Sequence, residues 1–236
     1  MRIDKLLANM GYGSRKDVKK LLKQGAVIVN ECIVKDSKQH VMPDKDEIYV
    51  NDEPVIYNEF AYFMLNKPKG VISATEDESQ KTVLDLLKPK DAIHHLFPVG
   101  RLDKNTTGLL LITNDGQLAH QLLSPKHHVE KTYIAHISGV VTEEDVKYFR
   151  KGVKLEDGYV TLPSQLEIIN SAAISEVKIT ITEGKFHQIK RMFLAVGKKV
   201  IDLKRLTMGP LVLDEKLKQG EYRPLTKEEI EKLYKS

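Results

Sequence analysis

The chain has 236 residues, 41% hydrophobic and 30% charged, with a formal net charge of +4. That length allows one large domain, or a small one beside a medium one, and the apolar fraction is enough for a packed core. A membrane or secreted protein is disfavoured: the longest apolar run is Phe60 to Leu65 where a span needs roughly 20 residues, the N-terminus MRIDKLLANMGYGSRK has charges inside its apolar stretch, and Cys32, the single cysteine, forms no internal disulfide, all of which points to the reducing cytoplasm.

The charge is unevenly spread. Residues 1–40 carry nine Lys and Arg against four Asp and Glu, while the remainder is nearly balanced, so a polyanion-binding module is expected at this end. Ile3, Leu6, Leu7 and Met10 recur at helical spacing, and Gly11 and Gly13 end that helix. Ser14 then offers an N-cap, with Asp17 three positions on, and a second helix is predicted from Arg15 to Lys23. Gly25 stops it, Ala26 to Val29 starts a strand, and Asn30-Glu31 turns the chain into Ile33-Val34. On the second helix Lys16, Lys19, Lys20 and Lys23 form one stripe, opposite Val18, Leu21 and Leu22. Like charges at this spacing repel by a few tenths of a kcal/mol per pair, a cost that a phosphate partner reverses. Together with Arg2 and Arg15 the stripe is the candidate RNA-binding surface. The segment resembles an S4 domain, a small αL-type RNA-binding module, through Arg2-x-Asp4-Lys5, Ser14-Arg15, the basic helix and Gly25…Val27-x-Val29-Asn30. The resemblance covers residues 1–50 and implies recognition of structured RNA by shape and phosphate contacts.

Residues 51–59 are polar, contain Pro54 and read as a linker, followed by a second domain over 60–236. Phe60 to Leu65 reads as a buried strand, Thr82 to Leu87 as a short helix, Asn105 to Gly108 as a turn feeding the strand Leu109 to Thr113, and Gly116 to Leu123 as a helix. Lys131 to Ile137 is predicted as a strand, Thr142 to Lys151 as a charged helix, Glu176 to Thr182 as an alternating strand and His187 to Val196 as a helix. No regular βαβ repeat appears, so the fold class is α+β with a mixed, mainly antiparallel sheet. A second basic cluster lies in 181–210, where seven Lys and Arg face only Glu183 and Asp202.

His94-His95 and His127-His128 lack the spacing of a metal site, and no metal is expected. There is no phosphate-binding loop or GxGxxG for a nucleotide cofactor, and no GxSxG nucleophile elbow. A two-carboxylate site built from Asp103 and Asp115 is disfavoured, because the intervening strand separates them at about 3.3 Å per residue. What is left is one acid, Asp103, in a Gly- and Arg-framed loop, with Tyr133 on a nearby strand and the helix start His187-Gln188-Ile189-Lys190. A carboxylate beside cations acts as a nucleophile or a base. Beside an RNA-binding module its target would be a nucleotide taken out of its stack, with Tyr133 and Ile189 as a platform for the base.

GRLDKNTTGLLLITNDG (100–116) resembles the motif that carries the essential aspartate of the RsuA/RluA-type pseudouridine synthases. YFMLNKPKGVIS (62–73), EKTYIAHISG (130–139) and EGKFHQIKRMFLAVG (183–197) resemble their other motifs, so the likeness spans essentially the whole chain. The resemblance implies a pseudouridine synthase catalytic domain with Asp103 as the catalytic acid, Tyr133 against the base and Lys190 where many members carry an Arg. Arg101, Thr107, His187, Gln188, Ile189 and Arg191 are implied as substrate- or RNA-binding residues, with Thr107 fixing the turn of the loop. No metal or cofactor is implied, since the reaction is an isomerisation. The S4 domain, the HQIKRMF form and SPKHHVEKTY (124–133) look most like members acting on 16S ribosomal RNA, implying uridine 516 as target, an assembly intermediate of the small subunit as partner, and a monomer. A 23S rRNA enzyme and a non-catalytic rRNA-binding assembly protein are the alternatives.

Overall fold

The computed structural model describes every residue except 58, 90, 93, 94 and 236. His94 of the first histidine pair and Asn58 of the expected linker therefore lie outside the described residues. Contacts divide the chain into two compact units, one of Met1–Ala61 with Leu87–Leu96, the other of Tyr62–Leu86 with Phe97–Ser236.

In the first unit, helices α1 (Ile3–Asn9) and α2 (Arg15–Lys23) precede strands β1 (Val27–Val29), β2 (Cys32–Ile33), β3 (Ile48–Val50) and β4 (Glu53–Pro54). The α2 N-terminus is closed by a capping box: Asp17 N–H donates to Ser14 Oγ and Ser14 N–H donates back to the Asp17 carboxylate. Sheet order is β2-β1-β3-β4. Both hairpins turn on Asn-acid pairs with positive φ, 47° and 66° at Asn30-Glu31 and 50° and 65° at Asn51-Asp52, the left-handed geometry that matches strand twist. The polar stretch read as a linker thus begins with the β3–β4 turn and an edge strand, where Pro54 is tolerated. Ile3, Leu6, Leu7, Val18, Leu22 and the inward residues of β1 and β3 form the core.

The second unit runs β5 (Tyr62–Lys67), β6 (Phe97–Pro98), β7 (Thr107–Thr113), α3 (Gly116–Leu123), β8 (Lys131–Ser138), α4 (Glu143–Lys151), β9 (Gln165–Asn170), β10 (Ile174–Ile181), α5 (Gln188–Ala195), β11 (Lys199–Met208), β12 (Leu211–Val212), β13 (Tyr222–Pro224) and α6 (Lys227–Lys235). The nine-stranded sheet has the order β13-β5-β7-β11-β8-β10-β9, with β12 on β11 and β6 on β7. Of the named strand pairs among the described residues only β7 and β11 run in parallel; the class is α+β with a mainly antiparallel sheet. Every residue of β7 is buried, as expected of a central strand covered on both faces. Leu109 and Leu111 of β7 pack with Leu118 and Leu122 of α3 and Leu233 of α6, and Phe149 of α4 meets Phe193 of α5 with ring centroids 4.9 Å apart.

Three local expectations are corrected. Thr107 and Gly108 are the first residues of β7 rather than the end of a turn, because β11 supplies their partners Lys204 and Arg205. The 82–87 segment holds only a single 3-10 turn at Leu84–Leu86, with the Asp85 carboxylate accepting from Thr82. The second basic cluster is spread over the segment before α5 (Lys185), α5, its junction with β11 (Lys198) and β11 itself, where Arg205 is buried, so it is not a continuous surface patch.

Candidate active site

One row of residues crosses the sheet and organises the site: Lys67 on β5, Gly108 on β7, Arg205 on β11, Tyr133 on β8 and Ile179 on β10 are consecutive ladder partners. The Asp103 loop enters β7 at this row. Gly108 is required there, since its φ is +101° and a Cβ would lie 2.2 Å from the Arg205 carbonyl oxygen. Arg205 Nε donates to Leu109 O at 2.7 Å, which ties the parallel pair through a side chain as well.

Lys67 was not singled out from sequence, yet it holds the loop. Its side chain is fully buried. Nζ donates to the carbonyls of Pro68, Asp103, Lys104 and Thr106 at 3.1, 3.0, 3.3 and 3.0 Å. Burial pushes its ammonium down to about 8, with Asp103 acting upward and Lys190 downward. Ser73 adds a second clamp, its hydroxyl donating to Leu102 O at 3.0 Å and accepting from Leu102 N–H at 3.1 Å. The loop is therefore rigid on the backbone side, leaving its one carboxylate to face the cavity. The available signal was a lysine ending an apolar strand directly before Pro68-Lys69-Gly70; its role depends on carbonyls from 1 to 39 residues away, which spacing alone does not reveal.

Asp103 Oδ2 accepts from Lys190 Nζ at 2.6 Å, and His187 Nε2 lies 3.5 Å from Oδ1. Tyr133, Arg101, His187, Gln188, Ile189 and Lys190 line one small pocket with Asp103, together with Thr106, whose buried hydroxyl has no partner among the described residues. This pocket opens into a cleft of about 1080 Å³ bounded by Ser73, Arg101, Lys131, Tyr159, Lys185 and Phe186. Lys131 and Arg205 sit on its floor; burial first, then the Arg205 charge, pushes the Lys131 ammonium down to about 8. Asp115, the other acid near the loop, caps α3 through Leu118 N–H and accepts from Tyr62 and Tyr234 hydroxyls. It stands at the far end of β7, so among the described residues Asp103 is the one carboxylate lining the small pocket, while Glu183 lines the wider cleft.

Several expected binding residues make their side-chain bonds elsewhere, and one of them, Gln188, does so while lining the pocket. Thr107 is buried in β7, its hydroxyl directed at Leu203 O at 3.5 Å. It secures the strand and does not line the pocket. Gln188 is buried, its Oε1 accepting from Lys185 N–H and its Nε2 donating to Glu183 Oε1 at 2.7 Å. Glu183 also accepts from Leu162 N–H and the Tyr159 hydroxyl, so this network fixes the start of α5 against the 153–163 segment. Arg191 turns away to Asp157 at 2.5 Å, lowering that carboxyl from its ordinary value, and strengthens the same junction. In the first unit Arg15, Lys16, Lys19, Lys20 and Lys23 are all exposed, with Lys20 3.3 Å from Asp17. Arg2 instead clamps buried Asp4 with two bonds of 3.0 and 2.7 Å, so part of its charge is already matched.

Residues 61–195 match the RNA pseudouridylate synthase family and residues 1–48 match the S4 domain. The chain is 55% identical over 231 residues to an uncharacterized RNA pseudouridine synthase of Bacillus subtilis, covering 98% of this chain and 97% of that one. It is 41% identical to ribosomal small subunit pseudouridine synthase A of Escherichia coli K12, covering 98% of each. A solved structure described as a pseudouridylate synthase aligns with TM-score 0.69 and 41% identity over 99% of both chains. These matches extend over both units and include every segment that forms the pocket, and on them the chain belongs to the RNA pseudouridylate synthase family, as an isomerase with an N-terminal S4 domain.

Proposed function

We propose that the chain converts a uridine of 16S ribosomal RNA to pseudouridine, with Asp103 as the catalytic residue. The observation that carries this reading is the Asp103–Lys190 pair at 2.6 Å in a pocket also lined by Tyr133. The isomerisation breaks the N1–C1′ glycosidic bond and forms a C5–C1′ bond, with a proton lost from C5 and one gained at N1. It needs a group that acts on the nucleoside while uracil is detached, and a surface that keeps the base from leaving. Asp103 supplies the first, as nucleophile or as base toward the sugar. Tyr133 and Ile189 supply the second, and Lys190 orients the carboxylate and balances its charge. The small-subunit assignment is supported by relatives named for that activity at 41–43% identity over nearly their whole length. By resemblance the target is uridine 516 in an assembly intermediate of the small subunit. Residues 1–50 then act as the RNA-holding module, with Arg15 and the α2 lysines on phosphates, and residues 60–236 as the catalytic domain.

Pseudouridine mapping in a strain lacking the gene, complemented by wild type or Asp103→Asn, tests this reading. Loss of a single 16S mark, restored only by wild type, is expected. Loss of a 23S mark with an intact 16S pattern reassigns the substrate, and full restoration by the Asn variant removes Asp103 as the catalytic residue.

A further inference from the structure

Phe186 is the most exposed aromatic side chain among the described residues, at 71%. It stands on the rim of the cleft that holds Asp103. Its ring lies flat on that of His187, centroids 3.8 Å apart and planes 19° from parallel. His187 is in turn 3.5 Å from the Asp103 carboxylate. The backbone is bent to achieve this: His187 has φ +49° at the N-cap of α5, a left-handed conformation that L-residues with a Cβ adopt at a cost. The Gln188–Glu183 bonds and the Arg191–Asp157 pair hold that segment in place.

An apolar ring this exposed buries little surface for the fold. One face is already occupied by the imidazole, and the other is open and planar. Lys185 is adjacent in sequence, and Arg101 and Lys104 line the same cleft beside Glu183, so cations suited to a phosphate backbone outnumber that one carboxylate in the cleft the ring borders. An exposed flat ring on the rim of a cleft lined by several cations is the pattern of a base-stacking platform on single-stranded RNA. Tyr133 and Ile189 lie deeper, in the pocket with the carboxylate, where the extruded uracil would sit. The rim is therefore available to a different base.

We propose that the Phe186–His187 stack receives the unpaired base next to the target uridine, docking the RNA so that the flipped nucleotide is presented to Asp103. This rests on the reading of the chain as a pseudouridine synthase acting on RNA. Stacking on one aromatic face corresponds to a roughly five- to hundredfold change in affinity per base. Because the contact is made outside the reacting nucleotide, its loss raises KM while kcat at saturating RNA stays near the wild-type value.

The test uses the full chain and an rRNA fragment that the wild-type protein converts, made also with an abasic residue at each position flanking the target. Phe186→Ala and Phe186→Leu are expected to raise KM at least fivefold on intact RNA, and Phe186→Tyr to keep it near wild type. On the fragment abasic at the stacked position, wild type and Phe186→Ala should become alike, because the two losses are one contact. A Leu variant equal to wild type, or losses that simply add at both flanking positions, would overturn the proposal. A wild-type protein with no activity on any rRNA would defeat the underlying reading instead, and is recognised before any variant is compared.

Discussion

The two units use positive charge in opposite ways. On α2 of the first unit, Lys16, Lys19, Lys20 and Lys23 stand in solvent over a conventional apolar core. In the second unit the cations at the site turn inward: buried Lys67 is ringed by four carbonyls, buried Arg205 is bound to the Leu109 carbonyl, and half-buried Lys190 rests on Asp103. Exposed ammonium groups cost little to desolvate and exchange counterions for phosphates, so they bind without demanding one geometry. Buried ones are tolerated through the bonds they make, and the same bonds fix atoms in place, although Arg205 Nη2 has no hydrogen-bond partner among the described residues. One arrangement suits phosphate binding, the other holds a carboxylate in place.

Asp103→Asn should separate the two most sharply. Conversion should fall by at least about 10²-fold, with RNA affinity, measured by filter binding, within about twofold of wild type. A parallel loss of affinity would mean that the carboxylate also organises RNA binding and that the division between units is wrong. Lys67→Met comes next. It leaves carbonyls of the loop without their shared donor, each worth about 1–3 kcal/mol if left dry, while removing a buried charge. The expected net result is a chain destabilised by about 2 kcal/mol in urea unfolding, with kcat lowered at least about tenfold and KM little changed. Equal kcat would show that Ser73 and the β7–β11 pairing position the loop unaided.

The third variant acts on the other unit. Replacing Lys16, Lys19 and Lys23 together by Ala should weaken RNA binding and lower the slope of log affinity against log salt by roughly 2–3, since each phosphate contact contributes about 0.7–0.9. kcat on saturating RNA should not move. An unchanged slope would place the phosphate contacts elsewhere.

The same contrast explains what was legible in the sequence. The α2 stripe and its capping box are local, set by residues three and four apart, and the structure reproduces the helix from Arg15 to Lys23. Asp103, Tyr133 and Lys190 were legible through motif resemblance, and they do meet in one pocket. Lys67 and Ser73 were not, because most of their partners lie 29 to 39 residues away; Gly108 was read as part of the turn of the loop, but its pairing with β11 depends on Arg205, 97 residues on. For Thr107, Gln188 and Arg191 membership of a motif reads as substrate contact, whereas the bonds their side chains make are to the scaffold around the pocket, which Gln188 also lines.

The smallest effect concerns Lys131 on the cleft floor, where burial and Arg205 push the ammonium down to about 8. An unfolded chain keeps that proton up to the ordinary lysine value near 10.5. Between about pH 8 and 10.5 the unfolded state therefore binds more protons than the native one, and this group's contribution to stability grows as pH rises. Below about 8 both states are protonated and the whole cost of burying the charge is felt. Lys131→Met keeps the apolar stem and removes the charge, so it should be more stable than wild type near pH 7, by about 1 kcal/mol once partial exposure is discounted. That advantage should shrink steadily from pH 8 to 10.5, read as the difference in urea midpoints, in which every other titrating group cancels. An advantage that stays constant across the window would mean the amine on the cleft floor is as well solvated as one on α2, and that burial of cations is confined to the Asp103 loop and its immediate ladder partners.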